Sequence, residues 1–233
     1  MSRTKGAVLA VYKPPMVTSA FVTETIKSRV RLPVGHGGTL DMFAQGVLVL
    51  GVGSGTKQLS SFLHGEKSYL AEGVLGRETD SLDCTGATVS HGPWNHISRQ
   101  DLLRVLPNFV GNILQVPPAF SALKVKGQRM SDLARKGVDV QIEPRPVVVH
   151  SLDLVSYDPP RFKVLVRCGG GFYVRSLIRD IARELDSVAV VSYLCRTKQG
   201  PFLLNDALEL SRWTREELDS IVRSSANGTT IPM

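Results

Sequence analysis

A single carboxylate, Asp41, closes the stretch VGHGGTLD at residues 34–41. The other seven residues are glycine, small, apolar or histidine. A lone acid of this kind can act as nucleophile or general base, given a pocket that keeps a freed intermediate from escaping. Gly35, Gly37 and Gly38 permit tight turns and the close approach of another backbone. The same aspartate could equally cap a turn or a helix N-terminus. The stretch by itself leaves both readings open.

Other chemistries fit the residues poorly. GVGSGTK at 51–57 ends in a lysine, but Thr56 stands where a phosphate loop needs its second glycine, and no Ser or Thr follows Lys57. CGGGFYVRS at 168–176 lacks the third spaced glycine of a dinucleotide loop. His36, His64, His91, His96 and His150 form no H-E-x-x-H pattern. Cys84, Cys168 and Cys195 are too far apart for a C-x-x-C pair or a zinc spacing. No metal and no cofactor are expected.

Lys and Arg number 28 against 21 Asp and Glu, a net charge of +7, and the sequence pI is near 9.5. Such an excess suggests an anionic partner, because cations that neutralise phosphates release counterions. Three scattered cysteines fit a reducing compartment. The N-terminal apolar run is roughly six residues, too short for a signal-peptide core. No stretch approaches the roughly 20 apolar residues of a membrane span. An intracellular protein without a membrane partner is expected, in nucleus or cytoplasm, with the mitochondrion left open.

Several elements must hold the Asp41 loop. GAVLAVYKP (6–14) reads as a buried strand stopped by Pro14 and Pro15. TSAFVTETIKSRV (18–30) reads as a helix capped by Thr18 or Ser19, with Phe21, Val22, Ile26 and Val30 inward. The glycine loop follows, then the central strand QGVLVLGVG (45–53). A short helix at 56–65, an alternating strand at 67–76, a polar turn-rich stretch at 77–97 and a stretch at 98–110 that starts with a Ser98-capped helix come next. Residues 115–137 begin irregular and end in a short basic helix. Strands at 144–157, 161–170 and 189–197 bracket an amphipathic helix at 174–186, and a last helix is expected near 214–223. Strands and helices mix without a steady βαβ rhythm, which argues for an α+β fold with a mixed, mostly antiparallel sheet.

Five stretches, in order, then resemble one family. They are YKPPMVTS (12–19), GHGGTLDMFAQGVLVLGVGSGTK (35–57), EKSYLAEGVLGRETDSLDCTG (66–86), VPPAFSALKVKGQR (116–129) and GGGFYVRSLIRDIARELD (169–186). Together they resemble the TruB-type pseudouridine synthases, which isomerise a uridine in the T-arm of tRNA; the GHGGTLD spelling is most like the eukaryotic branch. The resemblance implies a pseudouridine-synthase-like fold whose central sheet is flanked by helices and loops, with the active site in a central cleft. It implies isomerisation at position 55 of the T-loop, with T-loop-like stems in messenger RNA left open as further substrates. Bacterial members carry an additional C-terminal RNA-binding domain of the PUA kind. Here a single catalytic domain over 1–233 is expected, without that domain, and with an RNA-contacting insertion around 117–145. A monomer suffices.

The resemblance also assigns roles. Asp41 becomes the catalytic residue; whether it attacks the sugar C1′, attacks the ring or removes a sugar proton stays open. Arg175 resembles the arginine that pairs with the catalytic acid, its planar fork suiting a carboxylate. Tyr69 resembles the tyrosine lying against the flipped base. Tyr173 and Leu194 match further pocket-wall positions, although each would be ordinary strand core in another protein. His36 resembles the histidine near the place that the base vacates, Lys13 supports the active-site loop, and Asp80 braces the pocket. Lys124, Lys126, Arg129, Arg135 and Lys136 give the insertion a basic face for the T-arm, or else a merely solvated one.

Overall fold

The apolar run of the central strand is buried from Gly46 to its last residue. Its two faces feed two different cores. Leu48, Leu50 and Val52 pack with Leu9, Val11, Val22, Ile26 and Val30. Val47 and Val49 pack with Ala10 and Phe202, and the partly buried Phe62 joins them. A strand covered on both faces has no use for a polar alternation, which is why this one reads as a continuous apolar run.

The computed structural model describes residues 6–125, 127–138, 141–209, 214–216, 218 and 220. In chain order they form β1 (Gly6–Lys13), α1 (Ser19–Val30), β2 (Val34–His36), β3 (Gln45–Gly53), α2 (Leu59–His64), β4 (Lys67–Leu75), β5 (Arg77–Thr79) and β6 (Thr88–His91). Then come α3 (Arg99–Val105), β7 (Gly111–Gln115), β8 (Lys124–Val125), β9 (Gln128–Arg129) and α4 (Met130–Arg135). Last are β10 (Arg145–Asp158), β11 (Arg161–Cys168), α5 (Val174–Glu184), β12 (Ala189–Gln199) and β13 (Phe202–Leu203). Short 3-10 turns at Ser54–Gln58, Leu106–Phe109 and Leu204–Asp206 link some of these. The fold is α+β, with mixed and mostly antiparallel pairing, as the sequence led one to expect.

The chain divides into two compact units. The first comprises Met1–Ser68 and Cys195–Met233. In it β1 and β2 both pair antiparallel with β3, and the end of β12 pairs with β3 in parallel, Cys195 opposite Gln45 and Arg196 opposite Gly46. Thr18 caps α1 by accepting from the Phe21 amide. Phe21 itself is 59% exposed, against expectation. Val22, Ile26 and Val30 already fill the inward stripe at i, i+4 and i+8, and the buried Ser19 and Thr23 extend it.

The second unit is Tyr69–Leu194. Here β10 pairs antiparallel with β11 and with β7, and α5 buries Leu177, Ile178, Ile181 and Ala182. Ser98 and Asp101 form a reciprocal capping box that starts α3. The polar stretch 77–97 holds a hairpin, β5 with β6, where only turns were expected. The four residues of β6 are all exposed, so no apolar alternation marks the strand. The β7 strand also went unexpected, as did β2 within the glycine loop. Of the helix expected near 214–223, Arg215, Glu216, Leu218 and Ser220 are helical, and 217, 219 and 221–223 lie outside the described residues.

Candidate active site

In the first unit the loop between β2 and β3 presents Asp41, which is partly exposed while Gly37, Gly38 and Leu40 are buried. The loop leaves β2 through a bond from the Gly37 amide to the Val49 carbonyl, 2.8 Å. Gly38 takes a φ of 140°, a value that L side chains rarely adopt, so a glycine is required there. The Ser19 hydroxyl bonds both groups of the Leu40 peptide, accepting from its amide at 2.9 Å and donating to its carbonyl at 3.0 Å. The Asp41 carbonyl accepts from the Ala44 amide at 3.1 Å.

Lys13, at the end of β1, is buried. Its ammonium donates to the carbonyls of Pro14 (2.9 Å), Val17 (2.6 Å) and Met42 (3.2 Å). It therefore ties the turn after β1 to the residue that follows Asp41. Burial brings its pKa down to about 8; the Asp41 charge pushes the other way and the Arg196 charge reinforces the fall. His36 closes β2 in a partly buried position, where burial and then the Arg196 charge lower its pKa. A neutral ring is thus favoured at this end of the loop.

In the second unit Arg175, in the first turn of α5, is 4% exposed. Its guanidinium donates to the carbonyls of Ser81 (2.7 Å) and Phe120 (2.9 Å) and lies 3.6 Å from the Asp83 carboxylate. Asp83 is 5% exposed and accepts from the Ser81 hydroxyl at 2.9 Å, the Thr85 amide at 3.0 Å and the Thr85 hydroxyl. Asp80, three residues earlier, is exposed, and its amide donates to the Ala87 carbonyl. The buried acid of this segment is therefore Asp83, which the sequence reading passed over. Tyr69 and Leu194 are 7% and 4% exposed. Tyr173 is partly buried, and its backbone is held by the amide of Gln115 in both directions, 2.8 and 3.0 Å. Arg129 is exposed in β9, and Arg135 and Lys136 are exposed at the end of α4. The Lys124 side chain and Lys126 lie outside the described residues.

Among the buried polar side chains that the sequence did not single out are Asp83, Lys67, Arg196 and Gln199. Lys67 opens the alternating strand β4, Arg196 and Gln199 lie in the mostly buried β12, and Asp83 sits in the turn segment between β5 and β6. The Asp-x-x-Asp spacing of 80 and 83 was the one signal at hand. Among the described residues no three His, Cys, Asp or Glu groups come together as a metal site would need. No helix among them is long and apolar enough to cross a membrane.

Comparisons with known proteins agree with the motif reading. Residues 27–174 match the model of the TruB family pseudouridylate synthase (N terminal domain). Pseudouridylate synthase TRUB1 of Mus musculus is 48% identical over 92% of this chain and 69% of its own length. The Homo sapiens protein of that name is 46% identical over 91% and 66%. The tRNA pseudouridine synthase B of Caldanaerobacter subterraneus is 41% identical over 91% and 73%. The chain thus spans about two thirds of the length of these mammalian relatives. Among solved structures, a chain of a Cbf5-Nop10-Gar1 complex superposes with a TM-score of 0.69 at 26% identity, over 95% of this chain and 56% of that one. By its matched segment, its relatives and its fold, the chain belongs to the TruB family of pseudouridylate synthases.

Proposed function

We propose that this protein isomerises uridine to pseudouridine at position 55 in the T-loop of tRNA. T-loop-like stems in messenger RNA share the chemistry it would recognise. The reaction breaks the bond from C1′ to N1, turns the uracil and joins C1′ to C5, while the C5 proton leaves and N1 gains one. The product is an isomer, so no electrons are exchanged with a cofactor. The observation that carries the reading is Asp41, at the end of a clamped glycine loop, inside the segment that matches the family.

In this reading Asp41 acts as the nucleophile or base, Arg175 holds it ionised, and Tyr69 stacks on the flipped base. Stacking retains a splayed uracil while it rotates. Tyr173 and Leu194 wall the pocket, His36 contacts the loop near the vacated place as a neutral ring, and Asp80 braces the site. Lys13 steadies the loop. Lys124 and Arg129, with the basic end of α4, contact the T-arm. The chain works as a single catalytic domain, monomeric and intracellular, in nucleus or cytoplasm.

Tritium release from 5-tritiated uridine in tRNA tests the assignment. The Asp41→Asn protein is expected to bind tRNA within about threefold of the parent and to release no tritium above background. Release at the parent's rate would remove Asp41 from the mechanism. Binding without pseudouridine by the parent itself would point to an RNA-binding role instead.

A further inference from the structure

We infer that Arg196 and Gln199 are positioning residues for the reaction: from one strand they hold three consecutive carbonyls of the loop that presents Asp41. The inference rests on the proposed role of Asp41. Both side chains come from β12 and are fully buried, at 0% exposure. The Gln199 amide donates to the Gly37 carbonyl at 2.7 Å and accepts from the Val49 amide at 3.2 Å. Arg196 donates from Nη2 to the Gly38 carbonyl at 3.2 Å, from Nη1 to the Thr39 carbonyl at 3.5 Å, and from Nε to the Val47 carbonyl at 2.7 Å. Ser19 and Lys13 take the carbonyls of Leu40 and Met42, and the Ala44 amide takes that of Asp41. Every carbonyl from residue 37 to residue 42 thereby has a fixed donor.

The backbone is arranged to allow this. Arg196 stands opposite Gly46 in the parallel pairing of β12 with β3. A Cβ on Gly46 would lie 2.3 Å from the Arg196 carbonyl oxygen, and its φ of 111° is strained for any L side chain. Glycine at 46 therefore lets β12 approach closely enough for the guanidinium to reach the loop. A buried guanidinium spread over three neutral carbonyls is a costly way to fill a core. An aliphatic side chain would pack there without that cost. Its gain is orientation: a glycine-rich loop has many conformations of similar energy, and a catalytic group displaced by about 1 Å loses on the order of 10²-fold in rate.

The test uses the full chain and separates chemistry from binding and from folding. In single-turnover tritium release, Arg196→Lys and Gln199→Leu are expected to slow the chemical step on the order of 10²-fold per folded molecule. The Kd for tRNA is expected to change by less than about threefold. Arg196→Lys keeps the charge, but one ammonium on a longer stem cannot reproduce the fork. Gln199→Glu supplies a signature that simple destabilisation does not. The ionised carboxylate cannot donate to the Gly37 carbonyl, whereas the protonated acid can. Its rate relative to the parent is expected to recover as the pH is lowered, with the folded fraction checked by circular dichroism at each pH. Hydrogen exchange at the amides of residues 37–40 is expected to quicken in all three variants, and this readout needs no activity. Parent-like rates in folded variants, or a Gln199→Glu profile parallel to the parent's, overturns the inference. If the parent releases no tritium, the proposed function fails. Amide exchange then decides the clamp, and unchanged protection overturns it.

Discussion

At the scale of single residues, the buried Arg175–Asp83 pair carries a clear stability prediction. The two side chains are 4% and 7% exposed at 3.6 Å. Removing one member of a buried pair leaves an uncompensated charge, a loss of about 3–5 kcal/mol. Asp83→Ala is expected to lower the unfolding free energy by that amount in urea titrations, and a change under about 1 kcal/mol would mean that the other partners of Arg175 suffice to hold its charge. Lys13 gives a pH dependence. Its folded pKa of about 8 lies below the 10.5 of a free lysine, so between these values the unfolded chain binds more protons than the folded one. Stability from this group must therefore rise with pH across that window. The parent minus Lys13→Met difference in unfolding free energy should show the rise. In Asp41→Asn, which lacks the charge that holds the Lys13 value up, the rise should begin at lower pH. Asp41, Tyr69 and Arg175 could be picked out in the sequence because their motifs spell them. Arg196 and Gln199 could not, because what buries them lies on strands distant in the sequence, and Asp83 showed only as the second acid of an Asp-x-x-Asp spacing.

At the scale of elements, the contact of β4 with β11 and α5 depends on a missing side chain. A Cβ on Gly73 would lie 2.6 Å from two ring carbons of Phe162 and 2.9 Å from a methyl of Ile178. Phe162 and Ile178 are 1% and 0% exposed and have nowhere to move. Overpacking of this kind costs about 1–3 kcal/mol, so Gly73→Ala should shift the urea midpoint down without changing the denaturant slope. An unchanged midpoint would mean that the β4–α5 packing yields easily. The long apolar or alternating elements were readable from pattern alone: β1, β3, β4, β11 and α5 each show burial in phase with it. The hairpin of the part-buried β5 with the exposed β6, and the three-residue β2, carry no such pattern, since cross-strand hydrogen bonds rather than an apolar face define them.

At the scale of the whole molecule, the fold class followed from the mixture of periodicities, whereas the division into two units did not. That division follows which strand pairs with which, and β12 runs from one unit into the other without any break in composition. Net charge is the whole-chain property that bears most directly on the substrate. With an excess of +7, tRNA affinity should fall as salt rises, and for contacts to RNA phosphates the logarithmic slope changes by roughly 0.7–0.9 for each cation engaged. Among the described residues Arg129 and Lys136 are exposed and make no ion pair, whereas Arg135 already pairs with Asp132 at 3.2 Å. Arg129→Ala and Lys136→Ala should each flatten the slope by nearly one unit, and Arg135→Ala by less, because its partner partly neutralises it already. Single-turnover rates at saturating tRNA should stay at the parent value in all three, since the contact proposed for these side chains is to the RNA backbone and to no reacting atom. Filter binding at several salt concentrations reads the slopes. A slope unchanged in the double Arg129→Ala, Lys136→Ala protein would assign the basic end of α4 to solvent and move the T-arm contact elsewhere.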